Sequence, residues 1–116
     1  MNTTELLKGT LSTIILRLLD EHGKMYGYEI TQKVKEMSEE KILIKEGSLY
    51  PALHKLLDEG LLEVETVHIG KRLRKYYKLT QQGQVEKEAR FAELKDFLNT
   101  IQHIVFPQLN LKPLIC

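Results

Sequence analysis

The chain has 116 residues and a mass of 13.5 kDa, a size typical of one domain with a single core. Hydrophobic residues make up 42% of the chain and charged residues 28%, which argues against both intrinsic disorder and a fibrous coil. The formal net charge is +1, so the chain as a whole is neither polybasic nor polyacidic.

The cysteine usage and the apolar runs indicate where the protein works. Cys116 is the one cysteine, so an internal disulfide framework is excluded. Residues 1–5 show neither the basic nor the apolar region of a signal peptide, and no apolar run approaches the roughly 20 residues that span a bilayer. We therefore expect a cytoplasmic protein that does not associate with membranes.

Three short helices are predicted in the first half of the chain. The first begins near Asn2, ends before Gly23 and carries apolar residues at helical spacing: Leu6, Leu7, Leu11, Ile14, Ile15, Leu18 and Leu19. The second runs from about Tyr26 to Met37, with three residues expected to face inward: Ile30, Val34 and Met37. The third opens around Gly47 and ends at Gly60, with four buried leucines: Leu49, Leu53, Leu56 and Leu57. It accommodates Pro51 if that residue lies in the first turn.

A β-hairpin with a basic tip is predicted next. Residues 62–69 are rich in β-branched side chains, and residues 76–80 form a second strand in which either Tyr76 or Tyr77 should be core. The turn between the strands carries four cations: Lys71, Arg72, Arg74 and Lys75. With Lys78, residues 71–80 hold a charge of +5 against a total of +1, which leaves −4 for the rest of the chain.

A long helix is predicted for residues 81–106, and Pro107 ends it. Its apolar residues alternate between spacings of three and four, as in a seam between two helices: Phe91, Leu94, Leu98, Ile101 and Val105. A helix folded back on its own domain would bury one face but would leave Phe97 and Ile104 unexplained. The pattern therefore predicts that this seam is the interface of a homodimer.

Three helices, a two-stranded hairpin and a long helix are the element order of a mainly α, α+β winged helix-turn-helix fold. In that fold the third helix enters the major groove of DNA, and the hairpin, or wing, reaches the adjacent backbone. Cations concentrated at the hairpin tip are typical of phosphate contact. We expect residues 1–80 to form a DNA-binding domain, residues 81–106 a dimerisation helix and residues 107–116 a short tail.

Three segments match the pattern of a known family. They are Tyr26-Gly27-Tyr28-Glu29-Ile30; Gly47-Ser48-Leu49-Tyr50-Pro51-Ala52-Leu53 with Leu56 and Gly60-Leu61; and Arg74-Lys75-Tyr76-Tyr77 with Leu79-Thr80 and Gly83. In this order and spacing the chain resembles the PadR-family transcriptional regulators, in the short class with a single carboxy-terminal dimerisation helix. The resemblance implies a homodimeric DNA-binding protein, usually a repressor, that a small-molecule inducer or another signal releases. A twofold dimer suits a pseudo-palindromic operator.

Helix geometry and the family pattern select the candidate DNA-contacting residues. The outer face of the third helix carries small and polar residues where an ordinary surface helix carries Glu and Lys, and Tyr50 lies at its border. Contacts with double-stranded DNA are expected from Ser48, Tyr50, Pro51, His54 and Lys55, from Tyr28 on the second helix, and from Lys71, Arg72, Arg74 and Lys75 on the wing. The alternatives are an ordinary surface helix, a tyrosine packed between helices and a wing tip that is only solvated.

A drug-sensing branch of the resembled family stacks its ligand on an aromatic residue of the long helix, and the matching position here is Leu94. The chain has no tryptophan, so flat aromatic drugs would have less to stack on. Phe91 and Leu94 either line a small apolar pocket or form plain dimer core.

Other functional classes fit the sequence less well. The histidines fall on different elements without metal-ligand spacing, and no Gly-rich phosphate loop is present, so we expect no enzyme activity, metal or cofactor. The remaining rival is a winged-helix module for protein–protein interaction without specific DNA binding. That class would carry apolar residues on the outer face of the third helix and a wing without excess positive charge, the opposite of this sequence.

Overall fold

The structure of the protein is a computed structural model that describes residues 4–109. In chain order the elements are α1 (Thr4–Leu7), α2 (Leu11–His22), β1 (Met25–Tyr26), α3 (Gly27–Met37), α4 (Glu46–Asp58), β2 (Leu62–Ile69), β3 (Arg72–Leu79) and α5 (Gln81–Val105), followed by a 3₁₀ turn at Pro107–Leu109. This architecture confirms the predicted mainly α winged helix-turn-helix fold, with α2, α3 and α4 as its three helices. Residues 110–116 of the predicted tail, Cys116 included, lie outside the described residues.

The first predicted helix is broken in two. Gly9 adopts a left-handed φ of +90°, and Thr10 closes the turn because its backbone N–H and its hydroxyl both donate to the Leu7 carbonyl at 2.9 Å. After the break, the two neighbouring leucines of α1 differ, since Leu6 is 72% exposed and Leu7 is buried in the core. The predicted start at Asn2 lies outside the described residues.

The core is built on α2, α3 and α4. Its fully buried side chains come from all three helices and from the start of the wing: Ile15, Leu16, Leu18, Ile30, Leu49, Leu53, Leu56 and Leu61. Leu57 is only partly buried, and Met37 is 61% exposed, contrary to expectation. The chain turns away directly after Met37, since Glu39 and Glu40 both adopt left-handed φ angles of 54° and 65°.

Pro51 lies in the second turn of α4, because the helix already begins at Glu46; its predicted place in the first turn is wrong. Proline has no N–H, so residue 51 cannot donate to the carbonyl of Gly47. Both residues are exposed, which lets water satisfy that carbonyl. The helix therefore tolerates the proline on its outer face.

The sheet has three antiparallel strands in the order β1-β3-β2, where the sequence predicted two. The hairpin register runs from Leu62 opposite Leu79 to Ile69 opposite Arg72. The additional strand, β1, pairs Met25 with Tyr77 and so fastens the wing to the helix-turn-helix. Tyr77 is buried, which confirms that one tyrosine of the pair at 76 and 77 is core, and burial raises its pKa.

The start of α5 is fixed to the end of α4 by hydrogen bonds. The Thr80 N–H donates to the Leu61 carbonyl at 3.0 Å, and the Thr80 hydroxyl donates to the Gly60 carbonyl at 2.6 Å. The same hydroxyl caps the helix by accepting from the Gly83 N–H at 3.0 Å. A Cβ at residue 83 would lie 2.2 Å from the Leu61 carbonyl oxygen, so the backbones approach closely only because residue 83 is glycine.

The first half of α5 packs along α2. Lys87 forms an ion pair with Asp20, and the guanidinium of Arg17 lies 3.9 Å from the centre of the Phe91 ring. None of the described helices is long and apolar enough to span a membrane.

The close approach at Gly83 predicts a large loss of stability on substitution. Gly83→Ala should lower the free energy of unfolding by about 2 kcal/mol or more, since the Leu61 carbonyl is backbone and cannot rotate away. Gly47→Ala is the matched control in α4, because its Cβ would meet no atom within 4 Å and helix propensity favours alanine. Urea denaturation of both variants checks this, and equal stability of the two would contradict it.

Candidate nucleic-acid interface

The outer face of α4 is exposed and polar. Ser48, His54 and Lys55 are exposed, and Pro51 lies among them, while the three leucines of the opposite face are buried: Leu49, Leu53 and Leu56. Ser48 lies in the first turn of the helix, and its N–H donates to the Lys45 carbonyl at 3.0 Å. The N–H groups of Glu46 and Gly47 come before the first hydrogen bonds of the helix. Such a turn favours an anion, as at a phosphate.

Tyr50 lies at the border of this face and is 38% exposed. Its ring packs against the start of α3, where a Cβ at Gly27 would lie 2.8 Å from the Tyr50 hydroxyl oxygen and 3.4 Å from a methyl of Leu49. Gly27 therefore makes room for the ring, and the hydroxyl is held at the junction of α3 and α4. In the sequence, Gly27 stood out only as one residue of the family motif Tyr26-Gly27-Tyr28-Glu29-Ile30.

The two tyrosines at the start of α3 have different environments. Tyr28 is 64% exposed and projects from the first turn of α3. Tyr26 is partly buried, and its ring meets the ring of Tyr76 edge-on with centroids 5.5 Å apart. Its backbone N–H donates to the Glu29 carboxylate at 3.1 Å, which begins the helix.

The wing cations have three different settings. Lys71, Arg72 and Lys75 are exposed at the tip. Arg74 is partly buried, with its guanidinium 4.0 Å from the centre of the Tyr26 ring. Lys78 lies nearer the base of the wing and pairs with two acids of the neighbouring strand, Glu63 at 3.4 Å and Glu65 at 4.0 Å.

The base of the wing is a closed ion network. A hydrogen bond from Lys24 to Glu65 raises the pKa of Lys24 and lowers the pKa of Glu65, because each charge stabilises the other. The Lys24 ammonium also lies 5.3 Å from the centre of the Tyr76 ring. Since acids neutralise cations at the base, the positive potential of the wing is concentrated at its tip.

A cavity of about 650 Å³ lies between the wing, the start of α3 and Tyr50 of α4. Its walls carry tyrosine rings and cations: Tyr26, Tyr28, Tyr50, Arg72, Arg74 and Lys75. Hydroxyl donors beside guanidinium and ammonium groups are suited to phosphate oxygens. The fold thus brings five of the predicted site residues, from three elements, to one cavity: Tyr28, Tyr50, Arg72, Arg74 and Lys75. Tyr26, which was not among the predicted site residues, lies in the wall between them. Ser48, Pro51 and Lys55 line a separate groove, which α4 forms with α1, α2 and α5.

The predicted dimer seam on α5 has two parts. Phe91 and Leu94 are partly buried against their own domain, whereas the residues beyond them are exposed: Leu98, Ile101 and Val105, with Phe97 and Ile104 beside them. The exposed part is a continuous apolar face over two turns of the helix. Within residues 4–109, no group of three or more His, Cys, Asp or Glu residues could hold a metal ion.

The family model, the related sequences and the similar structures all point to the same family. The model of the transcriptional regulator PadR-like family matches residues 15–89. A transcriptional regulator from Clostridium thermocellum has a similar solved structure, with a TM-score of 0.80 and 30% identity over 88% of this chain and 99% of that one. The negative transcriptional regulator PadR of Bacillus subtilis is 36% identical over 99 residues, or 84% of this chain and 49% of that protein.

The Bacillus subtilis PadR has also been solved in complex with operator DNA. That structure matches with a TM-score of 0.63 and 34% identity, covering 72% of this chain and 47% of the other. The present chain therefore spans about half the length of that regulator.

The contact between Gly27 and Tyr50 predicts a coupled pair of substitutions. Gly27→Ala should lower the free energy of unfolding by about 1 kcal/mol, because the new methyl group displaces the Tyr50 hydroxyl. In a Tyr50→Phe background the same change should cost clearly less, since the oxygen nearest to the methyl is gone. A double-mutant cycle by urea denaturation measures the difference, and simple additivity would show that the contact is absent.

Proposed function

Because the chain belongs to the PadR-like family of transcriptional regulators, which bind DNA and are not enzymes, we propose that it is a homodimeric repressor of a pseudo-palindromic operator. The observation that carries this proposal is the cavity of tyrosine hydroxyls and cations that the wing, the start of α3 and Tyr50 of α4 form together, with exposed polar residues elsewhere on the same α4 helix. The description of the Bacillus subtilis relative as a negative regulator, and its structure with operator DNA, support the repressor role.

In the proposed complex, α4 lies in the major groove. Pro51 and His54 face the base edges, and Ser48 donates to a phosphate at the amino-terminal turn of the helix. Lys55 and the hydroxyls of Tyr28 and Tyr50 reach phosphates on either side of the groove. The phosphate contacts fix the register, and the groove-facing residues supply sequence preference.

The wing serves the flanking backbone through Lys71, Arg72, Arg74 and Lys75. Each phosphate that a cation neutralises releases counterions, so the affinity should fall steeply as salt is added. A protein-interaction module would bury apolar surface instead and would show little dependence on salt. Salt dependence therefore separates the two functional classes.

The long helix supplies the proposed dimer interface. Leu98, Ile101 and Val105 leave apolar surface on α5 that its own domain does not cover, and a second copy related by a twofold axis would cover it. Phe91 and Leu94 extend the seam towards the DNA-binding domain. The twofold axis would set two α4 helices about 34 Å apart, one turn of DNA.

Release by a small-molecule inducer is part of the proposal. A groove of about 780 Å³ between α2, α3 and α5 is lined mainly by apolar side chains, among them Ile14, Val34, Phe91 and Leu98. This size suits a small organic molecule. A molecule bound there would contact both the helix-turn-helix and α5.

The direct test is recovery of genomic DNA fragments by the purified protein at physiological salt, combined with its mass in solution. We expect a short pseudo-palindrome bound by a species of about 27 kDa, twice the mass of one chain. A dimer that retains no specific fragment, with or without added metabolite extract, would contradict the proposal and favour the protein-interaction module.

Removing charge from the wing tip should weaken DNA binding in a recognisable way. The double variant Lys71→Ala, Arg72→Ala should lower the affinity and reduce the slope of log K against log salt by about 1.8, or about 0.9 for each lost phosphate contact. The control Lys33→Ala, Lys41→Ala removes the same charge from α3 and from the loop that follows it. An unchanged slope in the wing variant would show that the tip is only solvated.

A charge in the seam should separate the dimer. Leu98→Glu places a carboxylate in the apolar interface, where it would lose hydration without gaining a partner, so we expect a monomer at micromolar concentration. Val85→Glu is the control, because residue 85 is also exposed on α5 but points to the opposite side of the helix. Sedimentation equilibrium gives the mass of each variant, and a Leu98→Glu dimer would refute the assigned seam.

A further inference from the structure

Arg74 and Tyr26 are in contact although they lie on different parts of the fold. Arg74 is on β3 of the wing, and Tyr26 is the residue at which β1 passes into α3. The guanidinium lies 4.0 Å from the centre of the Tyr26 ring. A cation at this distance over the face of a tyrosine is held by the negative potential of the ring.

The contact is held from both sides. Tyr26 is fixed by its strand pairing with Tyr76, by the edge-on contact of the two rings, and by the hydrogen bond from its N–H to Glu29. A hydrogen bond between Arg74 and Tyr76 raises the pKa of Arg74, and the charge of Glu29 acts in the same direction. Neither partner can turn away without losing several interactions.

The other wing cations have no such support among the described residues. Lys71, Arg72 and Lys75 are exposed and take part in none of the ion pairs or ring contacts found there. They depend on the wing itself for their position. The wing contacts α3 directly and is also joined to the two residues before that helix by the pairing of β1 with β3, beside which the ring of Tyr26 meets Arg74.

We propose that Tyr26 is a positioning residue for DNA binding, which holds Arg74 and, through it, the wing at a fixed distance from α3. The inference rests on the proposed function. A fixed wing matters for DNA binding because the wing cations and α4 must contact the same duplex at once. Tyr26 itself touches no DNA. By holding the wing in place, the ring reduces the conformational entropy that the wing loses on binding. The number of phosphates contacted by the wing cations is the same with or without the ring.

The stack can be tested without DNA, by NMR of the arginine side chains. The shielding ring current above the Tyr26 ring should move the Arg74 Nε–H proton upfield. The chain has four arginines, Arg17, Arg72, Arg74 and Arg90, so the signals can be assigned by single Arg→Lys changes. Tyr26→Leu should abolish the shift and Tyr26→Phe should keep it. Arg17, stacked on Phe91, is an internal control that neither change should move.

The functional arm uses the duplex recovered from genomic DNA by the unsubstituted protein. Tyr26→Leu should raise Kd about fivefold or more, while Tyr26→Phe should stay within about twofold. The salt slope of Tyr26→Leu should equal that of the unsubstituted protein, because the same phosphates are neutralised. In an Arg74→Ala background, Tyr26→Leu should have little further effect, since its partner is already gone.

The two arms separate the ways in which the proposal can fail. If Tyr26→Leu leaves the Arg74 signal in place, the stack does not exist. If the Arg74 signal moves but Kd stays unchanged, Tyr26 does not act by positioning. The same holds if the slope of log K against log salt falls by about 0.9, the value of one phosphate contact. If the unsubstituted protein binds no fragment while the Arg74 signal is shifted, the proposed function has failed, and the positioning role fails with it although the contact stands.

Discussion

The backbone contact between Leu61 and the first turn of α5 holds three parts of the molecule together. The Leu61 carbonyl follows the end of α4, accepts a hydrogen bond from Thr80 at the end of β3, and lies against Gly83 near the start of α5. No side chain separates these segments, so little adjustment is available between them. The DNA-facing helix, the wing and the helix that carries the apolar seam therefore share one rigid junction. The distance between the two α4 helices of a dimer would be set through that junction.

The charges of the protein nearly cancel overall, and what matters is where on the fold they lie. A net charge of +1 gives no general attraction to nucleic acid. On the wing, however, Glu63 and Glu65 lie at the base and pair with Lys24 and Lys78, while the cations beyond them lack such acids among the described residues. The acids keep the base of the wing neutral and stabilise its pairing with β1. The positive potential is thus strongest at the tip, where the wing would meet phosphates.

Much of the fold can be predicted from local sequence patterns. The features that could not be predicted depend on contacts between residues far apart in the chain or on the turns that follow an element. The leucine spacing predicts α4 and the burial of Leu49, Leu53 and Leu56, whereas Leu57 is only partly buried. The strand at Met25 and Tyr26 has only two residues and exists because β3 pairs with it, so no local pattern marks it. Met37 has the spacing of a buried residue, but its exposure is decided by the turn that follows. Among site residues, exposure on α4 could be derived from the sequence, whereas the stacking of Arg74 on Tyr26 joins residues far apart in the chain.

The two halves of α5 have different partners, and this difference sets how a signal could travel. The first half is held by Thr80, by the pair of Lys87 with Asp20, and by Arg17 on Phe91. The second half presents an exposed apolar face at Leu98, Ile101 and Val105. A molecule bound between α2, α3 and α5 would push on a helix whose amino-terminal end cannot move, so the displacement would be greatest at the far end. In the proposed dimer that end lies in the seam. Ligand binding would then change the spacing of two intact DNA-binding domains, with no change in the shape of either.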